Sequence, residues 1–350
     1  MVKILFLGET YRADAKSWIK GIERESKTQL ETMEIRRSNS RPGRIFNSLL
    51  FFFQILKTRF GSKYDLVLAE RATSYGMFSL LVHAKVRIVA QQGITDAFPE
   101  EGFSGFYKRI IQRLVYQKVD MIHAWGHVMS YAMLNSGAAP HKILVLPKGI
   151  DLDLYRFSYP DKTSDRSLSL IVTRSLFELY RHEDILKSIS ILRDNGFKVK
   201  VVLVGDGPEK PKLVKLCSEL NIQDQVNFTG LIANDKLPEL LSQSSFYVAF
   251  PTTEGVSSSL FEAMATGCFP IVSDLPANQA FLSQKKNGIL VPVENVSQLA
   301  DSIRYAVEHP GMVERAIWRN RKYIEKQVDF KKNMNVIYQR YLSLLAKKSA

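Results

Sequence analysis

The sequence predicts an α/β protein made of two successive halves, each a parallel sheet wrapped by helices. Three observations carry this. Short apolar runs alternate with longer amphipathic stretches, the sequence form of βαβ units. The alternation stops after Pro147 and resumes at Leu168. At 350 residues, 45% hydrophobic and 24% charged, the chain exceeds one ordinary core yet keeps a globular composition.

In the first half, residues 2–7 read as a buried strand and 13–25 as a helix after the loop 8–12. A strongly apolar helix at 44–59 leads into a strand at 65–69. There follow a strand at 86–90, a basic amphipathic helix at 107–118, a strand at 121–124, a helix at 127–136 and a strand at 142–146. The stretch 151–165, rich in Asp, Pro, Tyr and Ser without period, marks a linker. Strands then fall at 168–172, 199–204, 226–228, 246–250 and 270–273. Helices fall at 183–195, 210–220, 237–242, 259–266, 296–308 and 312–327. The tail, 330–347, is a basic amphipathic helix with Met334, Ile337, Tyr338, Tyr341, Leu342 and Leu345 on one side. The expected divisions are 1–150, a linker at 151–166, a second domain at 167–327 and a final helix at 328–350. Two such halves imply a cleft, with ligands at the carboxyl ends of the strands.

The net charge of +13 is uneven: +9 over residues 1–160, −4 over 161–314 and +8 over 315–350. A basic first half and tail suggest an anionic partner on that side, such as a lipid surface or a phosphorylated acceptor. Nucleic acid fits poorly, because no reader module or aromatic stacking motif is present and the site half is acidic. No signal peptide is visible, and the greasiest run, 49–56, is far shorter than a bilayer span. Cys217 and Cys268 propose neither a disulfide nor a metal site. The expectation is a reducing cytoplasm, with peripheral contact to the inner face of the membrane.

Glu254 and Glu262 are the most informative residues. An apolar strand ends in Pro251-Thr252-Thr253-Glu254, a small turn Gly255-Val256-Ser257-Ser258 follows, and a helix opens. Helix starts present unpaired N–H groups and the positive end of the dipole, so this turn suits an anion. Carboxylates on either side accept hydrogen bonds from hydroxyls. A nucleotide-linked sugar carries both features. The plainer reading is that Ser259-Leu260-Phe261-Glu262 is a capping box in which Glu262 only satisfies a backbone N–H.

Gly205 and Gly207 permit a tight strand-to-helix turn near a ligand, although two glycines make no dinucleotide fingerprint and an ordinary turn would use them equally. Arg174, just past a strand, can pair with phosphate through two hydrogen bonds; a solvated surface arginine is the bland alternative. Arg36, Arg37, Arg41 and Arg44, the apolar run 49–56 and Lys57 with Arg59 combine cations with grease. They form either a core helix with solvated ends or a surface for anionic lipid. His123, Trp125 and His127 follow a strand, where packing and ligand roles are both open.

In order and spacing, Thr173-Arg174-Ser175-Leu176, Val204-Gly205-Asp206-Gly207-Pro208-Glu209, Val226-Asn227-Phe228-Thr229-Gly230, Pro251 to Gly255, Glu262-Ala263-Met264-Ala265 and Gly288-Ile289-Leu290-Val291 resemble glycosyltransferase family 4. These are retaining, nucleotide-sugar-dependent enzymes of the GT-B fold: two Rossmann-like α/β/α domains facing across a cleft, with a C-terminal helix crossing back to the first domain. Pro147-Lys148-Gly149-Ile150-Asp151 resembles the family hinge, with Lys148 where Asn is usual. The likeness is dense over about residues 143–310 and thin before that.

The resemblance implies that Glu254 holds hydroxyls of the transferred sugar and Glu262 those of the ribose. Arg174 would grip the diphosphate, the amides of Gly255, Val256, Ser257 and Ser258 would complete the clamp, and Gly8 would bring the first domain's backbone to the same phosphates. Two positions depart from the pattern. Tyr180 stands where a lysine is usual, so Arg181 supplies the second charge or the clamp is weaker. Gln92 stands where many members carry His, and it can hydrogen-bond the sugar but not transfer a proton. No metal or other cofactor is expected: Asp151-Leu152-Asp153 looks like a metal motif but lies in the linker.

The expected function is metal-independent, retaining transfer of a hexose or N-acetylhexosamine from a nucleotide-diphosphate sugar to a glycan or lipid-linked acceptor. The basic first domain and C-terminal helix would rest on an anionic membrane surface. The alternative is a scaffold of the same fold that binds nucleotide sugar with reduced catalysis.

Overall fold

The computed structural model describes residues 2–61, 63–91, 102–158 and 168–349. By packing, the chain divides into one unit of Met1–Lys148 with Phe330–Ala350 and a second of Gly149–Asp329.

The first unit is a six-stranded parallel sheet of β1 (Ile4–Leu7), β2 (Glu31–Met33), β3 (Tyr64–Glu70), β4 (Ala84–Gln91), β5 (Met121–Ala124) and β6 (Ile143–Val145), in the order β2-β1-β3-β4-β5-β6. The central strands are apolar on both faces because helices cover both. Leu5, Leu7, Leu66, Leu68, Ile88 and Ile122 are fully buried. Chain direction decides the covering. The step from β1 to β2 runs opposite to every later step, and right-handed crossovers then place the helix Ala13–Ser26 on one face. The helices Arg41–Gly61, Phe103–Lys118 and His127–Asn135 go to the other, together with a π-helical turn at Arg71–Gly76. The returning helix Phe330–Ser349 packs against Ala13–Ser26.

That return is tight. A Cβ at Gly21 would lie 2.5 Å from Met334, and Asn333 Nδ2 donates to the Pro147 carbonyl at 2.9 Å. Phe330, Asn333, Met334, Ile337, Tyr338 and Tyr341 are buried, while Leu342 and Leu345 are half-buried. The apolar side expected of the tail is therefore real and lies one helical turn earlier.

The second unit repeats the plan with β7 (Leu168–Thr173), β8 (Val199–Val204), β9 (Val226–Gly230), β10 (Phe246–Ala249), β11 (Phe269–Ser273) and β12 (Ile289–Val291), ordered β12-β11-β10-β7-β8-β9 and parallel throughout. β2 and β12 escape sequence reading. Each is three residues long, and Glu31-Thr32-Met33 is a largely exposed edge with no apolar run. Residues 151–158 of the expected linker pack with the second unit, and 159–166 lie outside the described residues.

Gly267 ends the helix Ser258–Thr266 at φ 95°, and a Cβ there would lie 2.7 Å from the Ser158 carbonyl oxygen. Gly267→Ala should destabilise the fold by roughly 1–3 kcal/mol, the usual cost of a left-handed non-glycine residue. Chemical denaturation measures it, and an unshifted midpoint would show that the backbone relaxes freely.

Candidate active site

In the second unit the carboxyl ends of β7, β8 and β10 bring the expected residues together. Arg174 follows β7 directly, and its guanidinium donates to Glu254 Oε2 and to Ser257 Oγ. Both charged side chains are withdrawn from water, at 14% and 12% exposure. Burial opposes the charge on Arg174, but Tyr247, Glu254 and Tyr180 outweigh it and raise its pKa. Tyr180, in the place of the expected lysine, sets its ring 5.4 Å from the guanidinium. The charge that a lysine would add is replaced by an aromatic face that steadies the one already there.

The helix opens two residues earlier than the capping-box reading requires. Ser257 is the N-cap, its Oγ accepting from the Leu260 N–H at 3.2 Å, and Ser258 is the first helical residue. Glu262 therefore lies beyond the third helical position, where a capping-box carboxylate belongs. Its neighbour is Tyr155, whose hydroxyl donates to it; burial, and then this carboxylate, push the phenol's pKa up. Ser257 thus serves two donors, the helix amide and Arg174, while Ser259 Oγ lies 3.0 Å from the Tyr247 hydroxyl. The result is a hydrogen-bonded floor beneath the first turn of a helix whose earliest amides lack intrahelical partners.

Gly205 and Gly207 support this site from behind. A Cβ at either would lie 2.4 Å from the Arg174 carbonyl or 2.3 Å from that of Leu176. Leu176 N–H donates to Asp206 O at 3.0 Å, and Glu209 N–H to Leu176 O at 3.1 Å. What these glycines approach is the backbone carrying Arg174. Arg181 is not brought into the cluster. Its guanidinium pairs with Asp184 and Glu294 and lines a cavity with Lys187 and Lys212. His182 beside it is held neutral, burial pushing its pKa down to about 4.

In the first unit, Gly8 ends β1 where a Cβ would lie 2.6 Å from Glu70 Oε2. Glu70, buried at the end of β3, accepts from the Glu9 N–H at 2.8 Å. Gln92 lies outside the described residues; its neighbour Gln91 is buried and holds the Ala72 N–H and the Tyr116 hydroxyl. His123 and Trp125 pack rather than face outward. His123 Nε2 is 2.7 Å from Leu146 O, and both rings meet Trp18 edge-on. Burial lowers the His123 pKa to about 4. His127 is exposed at the start of its helix.

Lys148, a departure visible in the sequence, proves to be a buried cation. Its Nζ donates to the Asp14 carbonyl at 2.6 Å and lies 3.8 Å from the centre of the Trp125 ring. Burial pushes its pKa down to about 8, against the pull of Asp14 and Glu70. A folded pKa below the unfolded 10.5 means that the unfolded chain binds the extra proton, so stability rises with pH between these values. The wild type should therefore gain on Lys148→Met as pH is raised from 8 to 10.5. Parallel denaturation midpoints over that window would show that the pKa is not shifted.

The fold has counterparts among solved structures. The Anabaena protein HepE, solved with UDP, superposes with a TM-score of 0.78 at 17% identity, covering 98% of this chain and all (100%) of that one. Sucrose-phosphate synthase of Thermosynechococcus elongatus gives 0.80 at 13% identity over 99% and 100% of the two chains. This is the GT-B architecture. Residues 160–323 match the family described as Glycosyl transferases group 1. The chain is 20% identical over 288 residues to the N-acetylgalactosamine-N,N'-diacetylbacillosaminyl-diphospho-undecaprenol 4-alpha-N-acetylgalactosaminyltransferase of Campylobacter jejuni, across 80% of this chain and 77% of that one. It is 24% identical over 238 residues to the GDP-mannose:cellobiosyl-diphosphopolyprenol alpha-mannosyltransferase of Xanthomonas oryzae, across 65% and 60%. The match places residues 160–323 among the glycosyl transferases of group 1, within a chain of the GT-B architecture.

Proposed function

We propose that this glycosyltransferase is a retaining, family 4 enzyme that moves a hexose or N-acetylhexosamine from a nucleotide-diphosphate sugar to a lipid-linked glycan. The observation that carries this is the Arg174 guanidinium bound to Glu254 and Ser257 at the mouth of a helix, with Glu262 further along that helix. A cation, unpaired amides and two carboxylates in one place match a diphosphate flanked by two sets of hydroxyls. The named acceptors of the Campylobacter and Xanthomonas relatives, both diphosphate-linked polyprenols, support the lipid carrier.

In this reading the diphosphate competes with Glu254 for Arg174. As it wins, Glu254 is released to accept from the sugar hydroxyls, so donor binding itself arranges the catalytic carboxylate. Glu262, oriented by Tyr155, accepts from the ribose. The charge that develops on the departing diphosphate falls to Arg174 and to the amides of Gly255 to Ser258 rather than to a metal ion. One observation favours the weaker alternative, a nucleotide-sugar-binding scaffold: Arg181 is already neutralised by two carboxylates and adds no free charge.

A thermal-shift series against UDP-, GDP-, ADP- and TDP-sugars tests the reading, because a ligand of the folded state raises its stability. One selective shift names the base, and donor hydrolysis then separates enzyme from scaffold. Glu262→Ala should weaken that donor by roughly 1.5–3 kcal/mol, the worth of hydrogen bonds to a charged group. Unchanged affinity would remove Glu262 from the ribose. Arg174→Ala should lower kcat by about 10²–10³ with a smaller change in KM, in line with losing an electrostatic stabiliser. A wild-type rate would exclude the clamp.

A further inference from the structure

The two faces of the first unit's sheet are finished differently. On one, the helices Ala13–Ser26 and Phe330–Ser349 bury their apolar sides against each other and the sheet. On the other, two helices anchor themselves with a few residues and leave the rest bare. Arg41–Gly61 is fixed by Phe51, whose ring meets Tyr75 at 5.8 Å and Phe78 at 5.0 Å, and by buried Ile55. Phe103–Lys118 is fixed by buried Val115 and Tyr116, with Val115 against the turn at Gly76. Both helices thus flank the same segment, residues 71–79, on one side of the sheet.

Their outward residues are large and apolar. Phe46 is 61% exposed, Phe53 64%, Phe106 55% and Ile110 49%, and Ile45, Leu49, Tyr107 and Leu114 are exposed beside them. The charges interleaved with them are all positive: Arg41, Arg44 and Lys57 on the first helix, Lys108, Arg109 and Arg113 on the second. Neither helix contains a single Asp or Glu. Bare aromatic and aliphatic side chains between flexible cations form the surface that enters the headgroup region of an anionic bilayer. A second copy of this chain is a poor occupant, since it would bring these cations against one another. No helix among the described residues is long and apolar enough to cross a membrane, so contact would be made on the surface.

We propose that the helices Arg41–Gly61 and Phe103–Lys118 together form a docking face for an anionic phospholipid bilayer. The returning C-terminal helix takes no part, because its apolar side is already used on the opposite face of the sheet. The purpose of this face rests on the reading of the acceptor as lipid-borne, but its existence does not.

Co-sedimentation of the full chain with vesicles tests it without donor or acceptor. Vesicles of phosphatidylcholine alone should bind weakly, and vesicles containing phosphatidylglycerol strongly, with binding weakened by salt. The pairs Phe46→Ser with Phe53→Ser and Phe106→Ser with Ile110→Ser should each reduce binding by about tenfold, since each removes apolar area from the inserted layer. Circular dichroism and the nucleotide thermal shift should stay those of the wild type. The inference is overturned if the wild type ignores anionic vesicles, or if the Phe106/Ile110 pair binds like wild type. A concentration-dependent dimer abolished by the same substitutions would also overturn it, in favour of self-association. Failure of the transferase reading would look different: vesicle binding would persist while no nucleotide shifted the melting temperature.

Discussion

A guanidinium taken out of water must be given partners, and the second unit is organised around providing them. Arg174 emerges from β7 into a site closed by Glu254, Ser257 and the Tyr180 ring. Removing any one partner would leave charge or hydrogen-bonding capacity buried and unmet, which costs more than the pair contributes while intact. The constraint propagates backward. Arg174 can occupy this place only if the backbone of residues 174–176 lies against the turn after β8, and that approach admits only glycine at 205 and 207. It also propagates forward, because Ser257 must be both helix cap and arginine partner, which fixes where the helix starts. One ion pair therefore sets the geometry of three strand ends.

Much of this was legible in the sequence, and the omissions have physical causes. The long central strands announce themselves because burial on both faces writes an unbroken apolar run, as in Ile4-Leu5-Phe6-Leu7. β2 and β12 do not: β2 leaves Glu31 and Thr32 exposed, and β12, though buried, has an apolar run of only three residues, too short to mark a strand. The Glu254 and Glu262 pair was visible as a spacing, whereas the cap was misplaced by two residues. Three consecutive serines, Ser257 to Ser259, all qualify chemically, and only the position of Arg174 decides among them. Tyr155 was unreadable, since its hydroxyl meets Glu262 across more than a hundred residues of chain. The unusual Lys148 is legible as a departure, but its partner, a carbonyl in the first helix, belongs to tertiary structure alone.

The helical layers of the first unit show why apolar content is a poor guide to cores. The run from Leu49 to Leu56 is among the greasiest in the chain, yet only Phe51 and Ile55 are fully withdrawn from water. The tail helix, far more polar, buries six side chains. Periodicity against a neighbour, rather than hydrophobicity alone, determines which side chains the fold uses.

The order of segments along the chain has a consequence for how the molecule is made. The second unit is one continuous stretch, Gly149–Asp329, that falls in the sequence between the two pieces of the first, the later of which contains Phe330–Ser349. As the polypeptide leaves the ribosome, the sheet of the first unit is available early but lacks the helix that covers Trp18 and Gly21. The second unit can finish folding before the first is closed. Met334 and Tyr341, synthesised only after the whole of the second unit, complete a core begun by Ile4. A chain cut short before Phe330 would therefore spare the half that carries Arg174 and leave the amino-terminal half open.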